Sequence, residues 1–367
     1  MEFIKIKYDL NLTQIIEQFK QKNKDPIEVL DEFYSHLSSC KTRFQKAYTN
    51  GTIRMFLSTA KEFFNSQGLH VYNEDVKQRF RMPKRESVYE EGLTKETLVR
   101  LLHNSAPRLQ TAILMCASGG MRIAELVQLK LSDIDFTTNP TSIRLRKETT
   151  KTRETRFTCI SKEATNSLKD YLRKKFGWSE GSQDDRYIFL QTLEERMDKL
   201  REMLNDKSSK ADAMARMNVL ERSSSGLNPD EKYDNAVSSA RVALEESLSK
   251  VLRGIPELSK KNENGRQSIH FHALRAWFKT QVTDAHQSDF AEALMGHKSI
   301  KLGYYRQNSE KRLKTYLEIE YALTISDHTK VERTLQDLTE KYKDLERKYD
   351  EFRKYARNES IPTPSSH

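Results

Sequence analysis

Apolar residues recur at helical spacing along most of the chain and alternate over short stretches, which predicts a mostly helical protein with a small β-sheet, an α+β arrangement. Residues 12 to 80 read as a bundle of short helices, with Met55, Phe56, Ala60, Phe63 and Phe64 on one helical face. Arg79 to Glu91 (RFRMPKRESVYEE) breaks the pattern: it is polar, holds Pro83 and has no apolar period. It reads as a linker over 81–92 whose cationic first half can lie along phosphates. From Leu93 the period resumes. Thr94 stands as an N-cap before Leu98, Leu101 and Leu102, and an apolar helix through Leu109, Ala112, Ile113, Leu114, Met115 and Ala117 stops at Gly119-Gly120. Ser142 to Ile160 reads as a β-hairpin, with Ile143 and Leu145 on one arm and Phe157 and Cys159 on the other. Tyr187 to Leu190 is a short apolar strand candidate.

The character of the chain then changes. Leu193 to Lys232 is polar with few apolar anchors, and Ser223-Ser224-Ser225-Gly226 suggests a mobile excursion, an insertion over 193–232. Val237, Ala240, Leu244, Leu248 and Val251 restore a helix that Gly254 and Pro256 close, and Asn262 to Gly265 forms a turn. Val331, Leu335, Leu338, Tyr342, Leu345, Tyr349 and Phe352 alternate steps of four and three, the heptad of a coiled coil over 327–358. Self-association through this helix is the first reading, and a single helix folded back on the body is the alternative. Residues 359–367, with Pro362 and Pro364, read as a disordered tail. The domain expectation is a helical unit over 1–80 and a second, mixed unit over 93–326.

Composition narrows the partners. Three widely spaced cysteines, Cys40, Cys116 and Cys159, argue against a disulfide framework and lack metal-ligand spacing. No apolar run is long enough to span a bilayer, and the N-terminus lacks a signal peptide's apolar core, so the expectation is an intracellular, cytoplasmic protein without a membrane partner. A formal net charge of +10 makes a polyanion a plausible partner.

Breaking a DNA phosphodiester without a metal requires a nucleophile, fixed cations around the phosphate and an acid for the leaving oxygen. Tyrosine, with an ordinary pKa of about 10, suits the attack because a phosphotyrosyl ester conserves bond energy for resealing. Three stretches carry such groups in order. In Ser118-Gly119-Gly120-Met121-Arg122-Ile123-Ala124-Glu125-Leu126, Gly120 permits a tight turn, and Arg122 starts a new helix beside free N–H groups. Glu125, three residues on, can orient the guanidinium. In His270-Phe271-His272-Ala273-Leu274-Arg275, His272 and Arg275 point to one side of a helix. Ala293-Leu294-Met295-Gly296-His297-Lys298-Ser299 is followed by Tyr304-Tyr305-Arg306. Singly, each of these residues is most simply a surface ion-pair or satisfied polar residue. The ordered set is what points to a phosphate site.

The arginine box GGMRIAELVQLKLSDID, then HALR, then ALMGHKS with a tyrosine shortly after, resembles the tyrosine recombinase (phage integrase) family over most of Leu93 to Tyr305. The preceding bundle resembles that family's core-binding domain. The resemblance implies Arg122 and Arg275 as the phosphate clamp and Glu125 as the brace of the first arginine. It implies His272 to activate the tyrosine or hold the phosphate, and His297 on a non-bridging oxygen. The hairpin lysine, the general acid, is assigned to Lys151, five residues before Arg156, with Lys147 as the alternative. Tyr305 is the implied nucleophile and its neighbour Tyr304 the alternative; Tyr305 lies eight residues after His297, one fewer than the commonest family spacing and similar to archaeal-type members. Tyr316 and Tyr321 read as packing residues.

What the resemblance implies is a two-domain DNA clamp that forms a 3′-phosphotyrosyl bond, as a homotetramer on two sites of double-stranded DNA at the nucleoid. No metal, nucleotide, other cofactor or small-molecule substrate is implied. The rivals are a type IB topoisomerase and a catalytically silent DNA-binding protein of the same fold.

Overall fold

The computed structural model describes residues 7–21, 24–41, 47–79, 84, 91–182, 185–204, 210–262, 267–297, 308–326, 338–351 and 353. The linker expected at 81–92 and the tail at 359–367 fall mostly or wholly outside these residues. The chain divides into two compact units, 1–89 and 90–367.

In the first unit, α1 (Leu12–Lys20), α2 (Pro26–Ser39), α3 (Asn50–Ser66) and α4 (Asn73–Arg79) follow one another. Their starts are written locally. Asn11 and Gln14 form a reciprocal capping box, and Asp25 Oδ1 accepts from Ile27 N at 2.9 Å with Pro26 opening the helix. Ile15, Phe19, Leu30, Ile53, Leu57 and Phe64 make the core, with Phe19 and Phe64 packed edge to face at 5.2 Å. The buried face of α3 is therefore Ile53, Leu57 and Phe64, and Met55 is turned to solvent. The expected apolar face included Met55 because spacing does not say where the neighbours α1 and α2 sit.

The second unit is built around α6 (Pro107–Gly119), whose side chains from Leu109 to Ala117 are almost all buried. Before it lies α5 (Lys95–His103), capped as expected by Thr94, whose Oγ1 accepts from Thr97 N at 3.2 Å. After it come α7 (Ile123–Val127) and a three-stranded antiparallel sheet, β1 (Ile134–Asp135), β2 (Thr141–Leu145) and β3 (Arg156–Ile160), in the order β1-β2-β3. The hairpin pairs Ile143 with Thr158 and Leu145 with Arg156. Thr158, Cys159 and Ile160 are all buried while Phe157 is exposed under Arg312, whose guanidinium lies 5.0 Å from its ring. The expected alternation of Phe157 with Cys159 as one apolar face thus fails, because β3 is covered on both sides over its second half.

The remaining helices are α8 (Lys162–Phe176), α9 (Leu193–Met203), α10 (Lys210–Ser224), α11 (Pro229–Gly254), α12 (Phe271–Asp284), α13 (Ser288–Met295), α14 (Ser309–Leu323) and a terminal α15 over 338–351. The insertion is not a loop: α9 and α10 occupy most of it. Capping boxes at Thr192/Glu195 and Asn228/Glu231 start α9 and α11, and Leu200 and Ala213 are the buried anchors. Tyr187 makes only an isolated bridge to Lys130 rather than a strand, although Ile188, Phe189 and Leu190 are buried. Tyr316 is fully buried and donates to Ser118 O at 2.8 Å, whereas Tyr321 is exposed and does not pack as expected. All three cysteines are free. Among the described residues no helix is long and apolar enough to cross a membrane.

Candidate active site

Gly120 ends α6 in the left-handed conformation at φ 60°, and a Cβ there would lie 2.5 Å from the Phe278 ring. The turn places Arg122 as N-cap of α7. Its backbone N–H donates to Glu125 Oε2 at 2.8 Å, and its Nη1 donates to Glu125 Oε1 at 3.0 Å. Arg156, the first residue of β3, meets the same carboxylate in a two-pronged pair, Nη1 to Oε1 at 2.8 Å and Nη2 to Oε2 at 2.7 Å. Its Nε donates to Leu294 O at 2.9 Å.

Glu125 therefore receives four donors, about as many as an ionised carboxylate accepts. Burial opposes its charge, but the Arg156 fork and the Arg122 groups outweigh it and hold the carboxyl below its ordinary range.

Arg275, on α12, is 1% exposed. It donates through Nη1 to Gly120 O and through Nη2 to Met295 O at 2.7 Å, and Nη2 lies 3.2 Å from Nε2 of His297. It thereby pins the ends of α6 and α13 together. Burial and then the neighbouring Arg122 push its pKa down to about 10, so it remains a cation at neutral pH. Arg275 feels both Arg122 and Arg156, and these three cations share the buried carboxylate of Glu125, which leaves an excess of positive charge.

The other expected residues stand at different depths. His297 follows α13, with Nδ1 2.5 Å from Glu292 Oε2. His272 is exposed one turn before Arg275, its ring 6.2 Å from that of His270. Lys151 and its alternative Lys147 are exposed on the hairpin loop, and no contact places either against the arginines. Tyr305 and Tyr304 lie outside the described residues. Sequence reasoning missed Arg156 as a partner of Glu125, and missed Glu292 and Lys279 altogether. Among the described residues no group of His, Cys, Asp and Glu is arranged to hold a metal ion.

Residues 91–221 match the Phage integrase family. Among curated proteins, the chain is 26% identical over 179 residues to tyrosine recombinase XerA of Pyrococcus furiosus, covering 47% of this chain and 58% of that protein. It is 24% identical over 159 residues to XerA of Thermococcus kodakarensis, covering 42% and 51%. Over this segment the chain is similar to the phage integrase family, and its curated relatives are tyrosine recombinases.

The family match covers the arginine box and the hairpin and ends at residue 221, within α10, so it does not reach His272, Arg275 or His297. The chain spans little more than half the length of the curated relatives it matches. Solved structures similar to it include XerA recombinase, with 18% identity and a TM-score of 0.36 over 84% of this chain and 96% of the other. The Tn1549 transposon integrase in complex with transposon right end DNA is 13% identical with a TM-score of 0.46, over 86% and 96%. These likenesses are distant.

Proposed function

We propose that this chain is a site-specific DNA recombinase that cuts and rejoins DNA through a 3′-phosphotyrosyl intermediate. The observation that carries the reading is the largely buried cluster of Arg122, Arg156 and Arg275 beside the buried carboxylate of Glu125, a place suited to an anion. Glu125 is already saturated by its four donors, so it holds Arg122 and Arg156 without competing for a ligand. Three of Arg275's five N–H groups are committed to Gly120, Met295 and His297. The guanidinium is thus oriented before any phosphate arrives, and such preorganisation stabilises charge in a transition state.

In this reading the Tyr305 oxygen attacks phosphorus and the bond to the 5′-oxygen breaks. Lys151 on the hairpin loop gives that oxygen its proton. Arg122, Arg275 and His297 take the charge on the non-bridging oxygens, and His272 accepts the tyrosine's proton. A 5′-hydroxyl from a partner strand then displaces Tyr305 and reseals the DNA. The substrate is double-stranded DNA at the nucleoid, and four copies act on two sites, in mobile-element integration and excision or in resolution of chromosome dimers. The terminal helix supports association between copies, because Leu338, Tyr342, Leu345 and Tyr349 form an exposed stripe along it.

Tyr305→Phe should bind DNA with wild-type affinity and fail to cleave it, and a cleaving variant would overturn the assignment. DNA affinity should fall steeply with added salt, and a flat response would count against phosphate clamping. Supercoil relaxation without strand exchange would point to a type IB topoisomerase instead.

A further inference from the structure

α13 ends at Met295, and Gly296 adopts the left-handed conformation at φ 68°. A Cβ on Gly296 would lie 2.7 Å from Cδ of Arg156, so both the turn and the close approach of β3 call for glycine. The turn folds His297 back along its own helix. Its backbone N donates to Glu292 O at 3.1 Å, and its ring Nδ1 lies 2.5 Å from Glu292 Oε2. The other carboxylate oxygen of Glu292 pairs with Lys279 Nζ, on the helix that also carries Arg275. Glu292 is thus held at both oxygens by groups from different segments.

Partial burial works against the charge on Glu292, but Lys279 and His297 outweigh it and hold the carboxyl below its ordinary range. An ionised carboxylate only accepts, so the shared hydrogen sits on Nδ1. That assignment fixes the role of the second nitrogen. In the neutral ring Nε2 carries a lone pair, and it lies 3.2 Å from the Arg275 Nη2 that can donate to it. The opposite tautomer would aim an N–H at a guanidinium.

We propose that Glu292 is a positioning residue for the DNA reaction: it fixes His297 as the Nδ1–H tautomer and aims Nε2 at the phosphate held by Arg275. The inference rests on the recombinase reading for its purpose but not for its geometry. To donate to a phosphate oxygen, Nε2 gives up the Arg275 contact and carries a proton as well, with Nδ1 still bound to Glu292. The charged groups facing the ring are Glu292, Lys279 and Arg275, and the contact with Glu292 keeps Nδ1–H engaged while Nε2 faces the phosphate. Lys279 contributes by keeping the carboxylate in place.

The test uses the full-length protein with Glu292→Ala, Glu292→Gln and His297→Asn. The histidine ring nitrogens are read by 15N NMR without DNA, and the His297 signals are identified by their loss in His297→Asn. Wild type and Glu292→Gln, whose amide oxygen still accepts, should show the Nδ1–H form, whereas Glu292→Ala should shift towards the other tautomer. An unchanged His297 spectrum in Glu292→Ala would overturn the proposal. In single-turnover cleavage, Glu292→Ala should lose about 10–100-fold, by analogy with the loss of a carboxylate that orients a metal-bound histidine. DNA affinity should stay unchanged, and Glu292→Gln, which keeps the acceptor, should lose less than Glu292→Ala. Adding Glu292→Ala to His297→Asn should cost nothing more; an equal loss in that background would mean that Glu292 acts through the fold, contrary to the proposal. Should wild type cleave no DNA at all, the recombinase reading fails while the ring-nitrogen comparison still decides this one.

Discussion

Two carboxylates brace this cationic cluster, and they do so at different depths. Glu125 is 1% exposed, receives four donors from two arginines and ties α7 to the hairpin. Glu292 is 20% exposed and holds one lysine and one histidine near the end of its own helix. A deep carboxylate with every lone pair engaged cannot be separated from the fold that surrounds it. A shallow one can be removed with the fold intact, so its loss should be read in chemistry rather than in stability.

The largest expected effect follows from Arg275. Replacing it with alanine leaves Gly120 O and Met295 O without their donor and removes a buried cation from the phosphate site. Single-turnover cleavage should fall by about 100–1,000-fold or more, as for the loss of one oxyanion donor. Glu125→Leu comes next, because it leaves Arg156 and Arg122 facing each other in a largely buried place. Denaturant unfolding should show a loss of about 3–5 kcal/mol for the second unit, against about 1 kcal/mol or less for Glu292→Ala. Equal losses for the two variants would erase the distinction between them.

Acid should sharpen it further. The folded-state pKa of Glu125 is held below its unfolded value, so its contribution to stability is present above about pH 4.3 and is lost as pH falls through the folded value. The wild-type unfolding midpoint should drop across that window, and Glu125→Gln, lacking the titrating group, should show a shallower dependence. Gly296→Ala should destabilise by about 1–3 kcal/mol, from the positive φ and the contact with Arg156. It should also disturb both carboxylates, since Arg156 and His297 meet at that turn. The smallest effect on stability belongs to the terminal helix. Leu345→Lys should change unfolding by about 0.5 kcal/mol or less while lowering the mass in solution. An unchanged mass would refute self-association through this stripe.

How much of this was legible in the sequence follows the range of the interaction. Caps such as Thr94, the Arg122/Glu125 spacing and the hairpin over 142–160 are written within a few residues, and the structure places each where the pattern puts it. The α+β class follows from the same local periods. The Arg156–Glu125 pair joins residues 31 apart, and only the packing of β3 against the ends of α6 and α13 brings them together. Glu292 and His297 are close in sequence, yet their contact depends on a left-handed turn at Gly296. The insertion misled for another reason: sparse apolar anchors looked like a loop, but good caps and helix-favouring residues suffice for α9 and α10 once Leu200 and Ala213 find cover. The strand expected at 187–190 is buried chain with a single bridge, because a short apolar run states burial without stating pairing.

The most direct test of the central claim is covalent trapping on nicked DNA fragments of the source genome, followed by peptide mapping of the adduct. A denaturation-resistant adduct with the DNA attached at Tyr305, retained in Tyr304→Phe and lost in Tyr305→Phe, is the result this account predicts. Wild-type protein that binds those fragments and forms no adduct on any of them would contradict it, leaving a DNA-binding protein that does not cut.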